Sequence, residues 1–354
     1  MSLAAGLRSR YRATGADLPF GDPLAAHGVG MEGYFWRFTD VEQGRVLIAL
    51  IGVNRGPDGP WATLGLGADD SRGAAFLATA DEPGAWAAPD RVGAGCGTAF
   101  CGDDQRVTVD LGTQARLDVR LHDPVPWPRR ALGGSSVFQC VPGLNQYWHP
   151  WLLGGRATGS AVVAGQEWRL EDVDVYAEKN WGREGFPEHW WWGQAHGFAE
   201  RGACLAFAGG QVHAGPLRTT VTALVVRLPD GRTLRLGDPV VSPVRAQVGR
   251  ESWRLRGRGL GWQVEVDGHA PVDRAHVLPV PLPSQGHSTA GALEHLPGTV
   301  RVQVRRHGRP VWSGESTLAG LENGGLARAE AELRRRGAPD GATSAAPSSW
   351  RRAP

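Results

Sequence analysis

Apolar and polar residues alternate with a period of two along much of this chain. Ala115, Leu117, Val119 and Leu121 are separated by Arg116, Asp118 and Arg120. Trp262, Val264 and Val266 enclose Gln263 and Glu265, and Val300, Val302 and Val304 alternate with Arg301, Gln303 and Arg305. This period predicts half-buried antiparallel strands. Pro229-Asp230-Gly231, Asp267-Gly268 and His307-Gly308 read as the turns between them. Helical spacing is clear only in Leu326 to Arg336, after Asn323-Gly324-Gly325. The segment Gly337 to Pro354, rich in Ala, Ser, Pro and Gly, reads as a disordered tail.

Many short strands in 354 residues suit two barrels or sandwiches better than one sheet. The expected organisation is an N-terminal extension over 1–26, a first barrel over 27–150, a second over 151–323, and a helix with a tail over 324–354. The composition fits packed domains, with 41% hydrophobic and 21% charged residues. A net charge of +2 gives no reason to expect a nucleic-acid partner. The longest apolar run, Val46 to Val53, is far short of a membrane span. The N-terminus carries no secretory signal pattern, so a cytoplasmic protein is expected.

Several common motifs fail on context. Gly28-Val-Gly30-Met-Glu-Gly33 matches a dinucleotide fingerprint, but Tyr34 to Phe38 reads as a strand where a helix is needed. A phosphate-binding loop needs Lys followed by Ser or Thr, whereas Lys179 is followed by Asn180. HExxH and GxSxG are absent from the sequence. His189 and His196 lack partners at ligand spacing, so no metal site is expected. Cys96, Cys101, Cys140 and Cys204 read as free thiols.

Composition then singles out one region. Of 38 basic residues only Lys179 is lysine, the bias of a GC-rich coding sequence in which arginine serves elsewhere. It lies in Asp172 to Gln194, which also holds Tyr176, Asn180 and the run Trp190-Trp191-Trp192. Read as a strand, Val173 to Trp181 has two faces. One carries Asp174, Tyr176, Glu178 and Asn180. The other carries Val173, Val175, Ala177, Lys179 and Trp181. The polar face is either solvated or a polar patch in an apolar cavity. Trp190 and Trp192 share a face and Trp191 takes the other, so at least one side packs inside a barrel or lines a pocket.

Tyr176-Ala-Glu-Lys-Asn-Trp-Gly182, Phe186-Pro187 and Trp190-Trp191-Trp192-Gly-Gln194 together resemble the signature of the tocopherol cyclase family. Met31-Glu-Gly-Tyr-Phe-Trp36, Trp148 to Gly159 and Ala319-Gly-Leu-Glu-Asn-Gly-Gly325 resemble further family segments in the right order. The resemblance implies an all-β fold of two lipocalin-like antiparallel barrels. It also implies closure of a prenylated hydroquinone to a chromanol. This chain departs from the plant pattern by a longer gap between Gly182 and Phe186 and by Trp191 in place of a smaller aromatic residue, and no plastid-targeting segment is expected from its sequence. The fold carries over more directly than the substrate.

Such a cyclisation protonates a trisubstituted alkene and lets the phenol oxygen attack the resulting cation. It calls for a carboxyl group kept neutral by apolar surroundings, and for aromatic faces toward the cation. No metal, nucleotide or redox cofactor is required. Glu178 is the preferred acid and Asp174 the next, with Tyr176 and Asn180 as hydrogen-bonding partners. Trp36, Trp181, Trp190, Trp192, Gln194 and Lys179 are the candidate substrate-binding residues. In a regular strand Lys179 points away from Glu178, as an ion-pair partner would. The EKNWG string could also be a barrel-closing corner with no chemistry. The alternatives are a lipocalin-like carrier of a hydrophobic small molecule and an isoprenoid hydratase. The partner in every functional case is a lipophile, which leaves peripheral membrane contact open.

Overall fold

The computed structural model describes residues 3–71, 74–128 and 132–347. Its strands form two large antiparallel sheets. The first has eleven strands. Met31–Asp40 lies in its middle, paired on one side with Arg45–Gly56 and on the other with Gln166–Gly182. Gln166–Gly182 pairs in turn with Tyr147–Val163, which pairs with Ala115–Pro126. The short strands Ala85–Ala87 and Gly93–Cys96 return against Arg45–Gly56, so the sheet curls around its own core. That core holds Trp36, Phe38, Leu47, Leu64, Val119, Leu170 and Val175. Alternating residues of each strand supply it, as the period of two requires.

The second sheet has ten strands. Trp190–Ala195 lies inside it between Cys204–Ala214 and Arg309–Gly324. The strand His287–Arg306 pairs with Arg309–Gly324, Trp262–His269 and His276–Leu282. Phe207, Leu224, Trp253, Val266, Val302 and Leu321 fill its interior. The expected all-β fold with two barrel-like sheets and a C-terminal helix is therefore observed, the helix spanning Leu326–Arg335.

The two sheets meet on their outer faces. Val46 and Ile48 of the first pack with Trp190, Ala292 and Leu318 of the second, and Tyr176 packs with Trp192 and Val225. Arg37 crosses this interface fully buried. It donates to Gln194 Oε1 at 2.9 Å and to the carbonyls of Leu296 and Leu318 at 2.8 and 2.6 Å. A buried guanidinium is tolerated because so many of its N–H groups are satisfied.

Four expectations need correction. The boundary at 150/151 falls inside Tyr147–Val163, and the signature strand Gln166–Gly182 belongs to the first sheet. The strand Tyr147–Val163 runs unbroken through residue 150 and through Gly154-Gly155, and the change of sheet comes after Gly182. Asp267-Gly268 is not a turn but lies within Trp262–His269. Gly268 leaves room for Leu321, whose methyls come within 3.2 and 3.3 Å of where a Cβ would stand. The N-terminal extension contains a helix, Leu3–Arg12.

The segment after the C-terminal helix is not disordered as far as residue 347. Ala345 exchanges two backbone hydrogen bonds with Val277, and Ser344 Oγ meets Thr79 Oγ1 at 2.8 Å. Ala338, Ala342 and Ala345 pack half-buried against a small apolar cluster that includes Val277, Leu293 and Leu333, a use of small residues that composition alone does not separate from disorder. Residues 348–354 lie outside the described residues. No helix among the described residues is long and apolar enough to cross a membrane.

Candidate active site

The signature strand places its two faces as the period of two predicts. Val173, Val175 and Ala177 enter the core of the first sheet, while Tyr176 and Glu178 face the second sheet. A cavity opens there, with about 170 Å³ of room for the centres of water molecules. Phe35, Trp148, Trp190 and Trp192 give it aromatic walls, and Glu178 and Asn180 reach it from the signature strand.

Glu178 is 4% exposed. Its Oε2 accepts hydrogen bonds from Tyr176 Oη at 2.6 Å, Trp192 Nε1 at 2.7 Å and Trp148 Nε1 at 2.8 Å. Burial pushes its carboxyl up to about 7, against the pull of these three donors toward the charged form. The group is thus balanced between acid and conjugate base at neutral pH. With Oε2 occupied as an acceptor, Oε1 is the oxygen left to carry the proton of the neutral acid.

The tryptophan run sits on glycines. Trp190 pairs with Gly324 and Trp191 with Gly209 across the neighbouring strands, and each indole lies where a partner Cβ would stand, within 1.8 and 2.3 Å. Glycine at both positions is what lets consecutive indoles lie flat against the sheet. Trp190 and Trp192 face the first sheet and Trp191 packs against the second sheet's interior, as the alternation predicts.

Other expected site residues lie elsewhere. Asp174 is on the predicted face but beyond the cavity, 2.5 Å from Arg156 at a partly exposed position. Lys179 lies on the opposite face with its Nζ 2.8 Å from Glu32 and 2.9 Å from the Ala25 carbonyl. Trp181 stacks between His27 and Tyr147 and donates to the Gly15 carbonyl at 2.7 Å. Both hold the N-terminal segment against the first sheet. Trp36 packs on Phe100 and Trp151 inside the first sheet, and Gln194 is taken up by Arg37. Strand parity separates Lys179, Trp181 and Trp36 from the cavity, while Asp174 and Gln194 fall past its ends.

The cavity also contains groups that sequence reasoning missed. Trp148 supplies a donor to Glu178, and Glu294 and Glu322 contribute two further carboxyl groups. Glu294 follows Ala290 and Ala292 and precedes Leu296, so a lone acid on an apolar face was its available signal. Glu322 lies within the family-like segment Ala319 to Gly325. Trp190 Nε1 donates to Glu322 Oε1. Burial raises both carboxyls, Glu322 to about 7 and Glu294 well above the usual range, and each is raised further by a nearby acid.

Comparison with known proteins agrees with this architecture. A "Probable tocopherol cyclase, chloroplastic" from Oryza sativa subsp. japonica is 37% identical over 71 residues, which is 20% of this chain and only 15% of that protein. An AttH-type protein from Nitrosomonas europaea superposes with a TM-score of 0.51 at 14% identity, covering 88% of this chain and 98% of its own. Kievitone hydratase from Nectria haematococca gives 0.53 at 12%, covering 84% and 89%. CghA with Sch210972 gives 0.54 at 13%, covering 84% and 88%. At these identities the structural likeness is one of fold. The tocopherol cyclase-like family model matches residues 128–325, more than half of the chain, from before the Trp148 strand to the end of the Glu322 strand. By this match the chain belongs to the tocopherol cyclase-like family.

Proposed function

We propose that this protein is an enzyme that closes an oxygen heterocycle on a prenylated phenolic lipophile, with Glu178 as the acid. The observation that carries this reading is a buried carboxyl group whose three donors all converge on Oε2, in a cavity walled by indoles. Oε1–H protonates the less substituted alkene carbon, and the tertiary cation forms beside aromatic faces. Each such face contributes about 0.5–2 kcal/mol to a cation. The three donors stabilise the carboxylate that the acid becomes, so they act where charge develops. The phenol oxygen then bonds to the cationic carbon and loses its proton.

Asn180 supports a second reading. Its Oδ1 is buried without a partner among the described residues and the residue lines the cavity, where it could hold a water as nucleophile. One experiment separates these readings. The protein and Glu178→Gln are incubated with prenylated hydroquinones and the products are weighed by mass spectrometry. Cyclisation leaves the mass unchanged with a new retention time, and hydration adds one water. Products that vanish in Glu178→Gln support the acid assignment, and a bound lipophile released unaltered by the native protein supports carriage.

A further inference from the structure

We propose that Glu294 and Glu322 form the phenol-binding pole of the cavity and take the hydroxyl proton as the ring closes. This rests on the reading of the cavity as a site for a phenolic lipophile. The two residues are direct cross-strand partners in the register of His287–Arg306 with Arg309–Gly324. Trp192, which holds Glu178, is the partner of Glu322 on its other side. The pair therefore stands on the second sheet, close to an acid supplied by the first.

Glu294 is 1% exposed and lines the cavity, and its Oε1 is buried without a hydrogen-bond partner among the described residues. A ligand hydroxyl would satisfy it. Arg37 is close by. A Cβ on Gly320 would lie 3.0 Å from Arg37 Nε and 3.3 Å from Glu294 Oε1, and the Nε has no partner among the described residues either. Adjacent buried carboxyl groups do not both ionise readily, so the pair holds one proton and one negative charge. Burial lowers Arg37 only to about 10, so its guanidinium stays charged and favours that single carboxylate. Such a pair can accept a phenol O–H and orient its oxygen.

The step balances. Glu178 Oε1–H gives its proton to the alkene carbon and becomes a carboxylate. The phenol oxygen forms the C–O bond while its O–H bond breaks, and that proton goes to the carboxylate of the pair. The product leaves with all substrate atoms. One proton has moved from Glu178 to the pair, and it returns through water when the cavity opens to product release. No oxidant or reductant takes part.

The test is binding in the Glu178→Gln background, where turnover is blocked. The probes are a farnesylated dimethylhydroquinone and its methyl ether at the ring-closing hydroxyl, followed by tryptophan fluorescence. The phenol should bind about tenfold or more tightly than the ether, as a hydrogen bond to a charged group implies. Adding Glu322→Gln or Glu294→Gln should reduce that preference below about twofold (from loss of the same bond). Equal binding of phenol and ether overturns the proposal, as does a preference that survives both added substitutions, or failure of both probes to bind. If the added variants do not fold by circular dichroism, the ratio in Glu178→Gln alone decides. A phenol preference in a protein that turns over no lipophile leaves the pole standing and removes the cyclase reading. Turnover by the native chain without a preference does the reverse.

Discussion

Trp192 Nε1 donates a 2.7 Å hydrogen bond to Glu178 Oε2, joining a residue of the second sheet to one of the first. The environment of the acid is therefore set by the packing of the two sheets, not by the signature strand alone. Trp148 and Tyr176 complete it from the first sheet. Removing one donor should make Glu178 a weaker acid and push its carboxyl further up, because the carboxylate loses a partner and the neutral form loses less. Trp148→Phe and Tyr176→Phe should each move the alkaline limb of the rate profile upward by about one pH unit. They should also slow turnover about tenfold. An unmoved limb in both variants would separate these donors from the acid.

The pH profile itself follows from the raised carboxyls. Glu178 acts only when protonated, so turnover should fall as pH rises through about 7. The carboxyl pair acts only while it keeps one negative charge, so turnover should also fall in acid as it takes a second proton. A bell centred near neutrality is expected, and Glu322→Gln should shift its acid limb, because Glu294 alone then carries the charge.

Stability should depend on the same groups. Glu178 rises from an ordinary 4.5 to about 7, so the folded chain binds more protons than the unfolded chain between those values. Stability then falls as pH rises through that window, because ionisation is harder in the folded state. Urea denaturation of Glu178→Gln between pH 5 and 8 should show a flatter slope than the native protein (pH range chosen around the window).

Lys179 is a structural residue in this account. Its ammonium is fully buried between Glu32 and the Ala25 carbonyl, with Tyr34 and Trp181 rings at 5.3 and 5.1 Å. The enclosure holds a compact ammonium, whose shape a planar guanidinium does not share, and this fits the presence of one lysine among 38 basic residues. Lys179→Met should cost about 3–5 kcal/mol by leaving Glu32 unpaired. Lys179→Met with Glu32→Gln should recover part of that loss in urea titrations. Equal losses for the single and double variants would mean that the pair is not coupled.

The C-terminal segment should matter for stability. Deleting residues 337–354 removes the Ala345–Val277 bridge and the contact of Ser344 with Thr79. The melting midpoint should drop by about 2 °C or more. An unchanged midpoint would show that these contacts contribute nothing in solution.

The period of two made the strands legible, and strand parity alone separated Glu178 from Lys179 and Trp190 from Trp191. Neighbouring strands that meet only in three dimensions were not legible. Arg37, Glu294 and Glu322 come from positions distant in sequence, and their roles depend on which outer faces pack together. Asp174 shows the limit of parity, since it shares a face with Glu178 yet reaches Arg156 outside the cavity. The tail shows the limit of composition, because alanine and serine serve a close-packed edge as well as a disordered one.

In the proposed reaction Glu178 delivers a proton to carbon. Running the reaction in heavy water tests it directly, with a prenylated hydroquinone and product mass as the readout. The expected result is a cyclised product carrying one non-exchangeable deuterium on the former alkene carbon, formed by the native protein and not by Glu178→Gln. A cyclised product without that deuterium, or one formed at the native rate by Glu178→Gln, would contradict it.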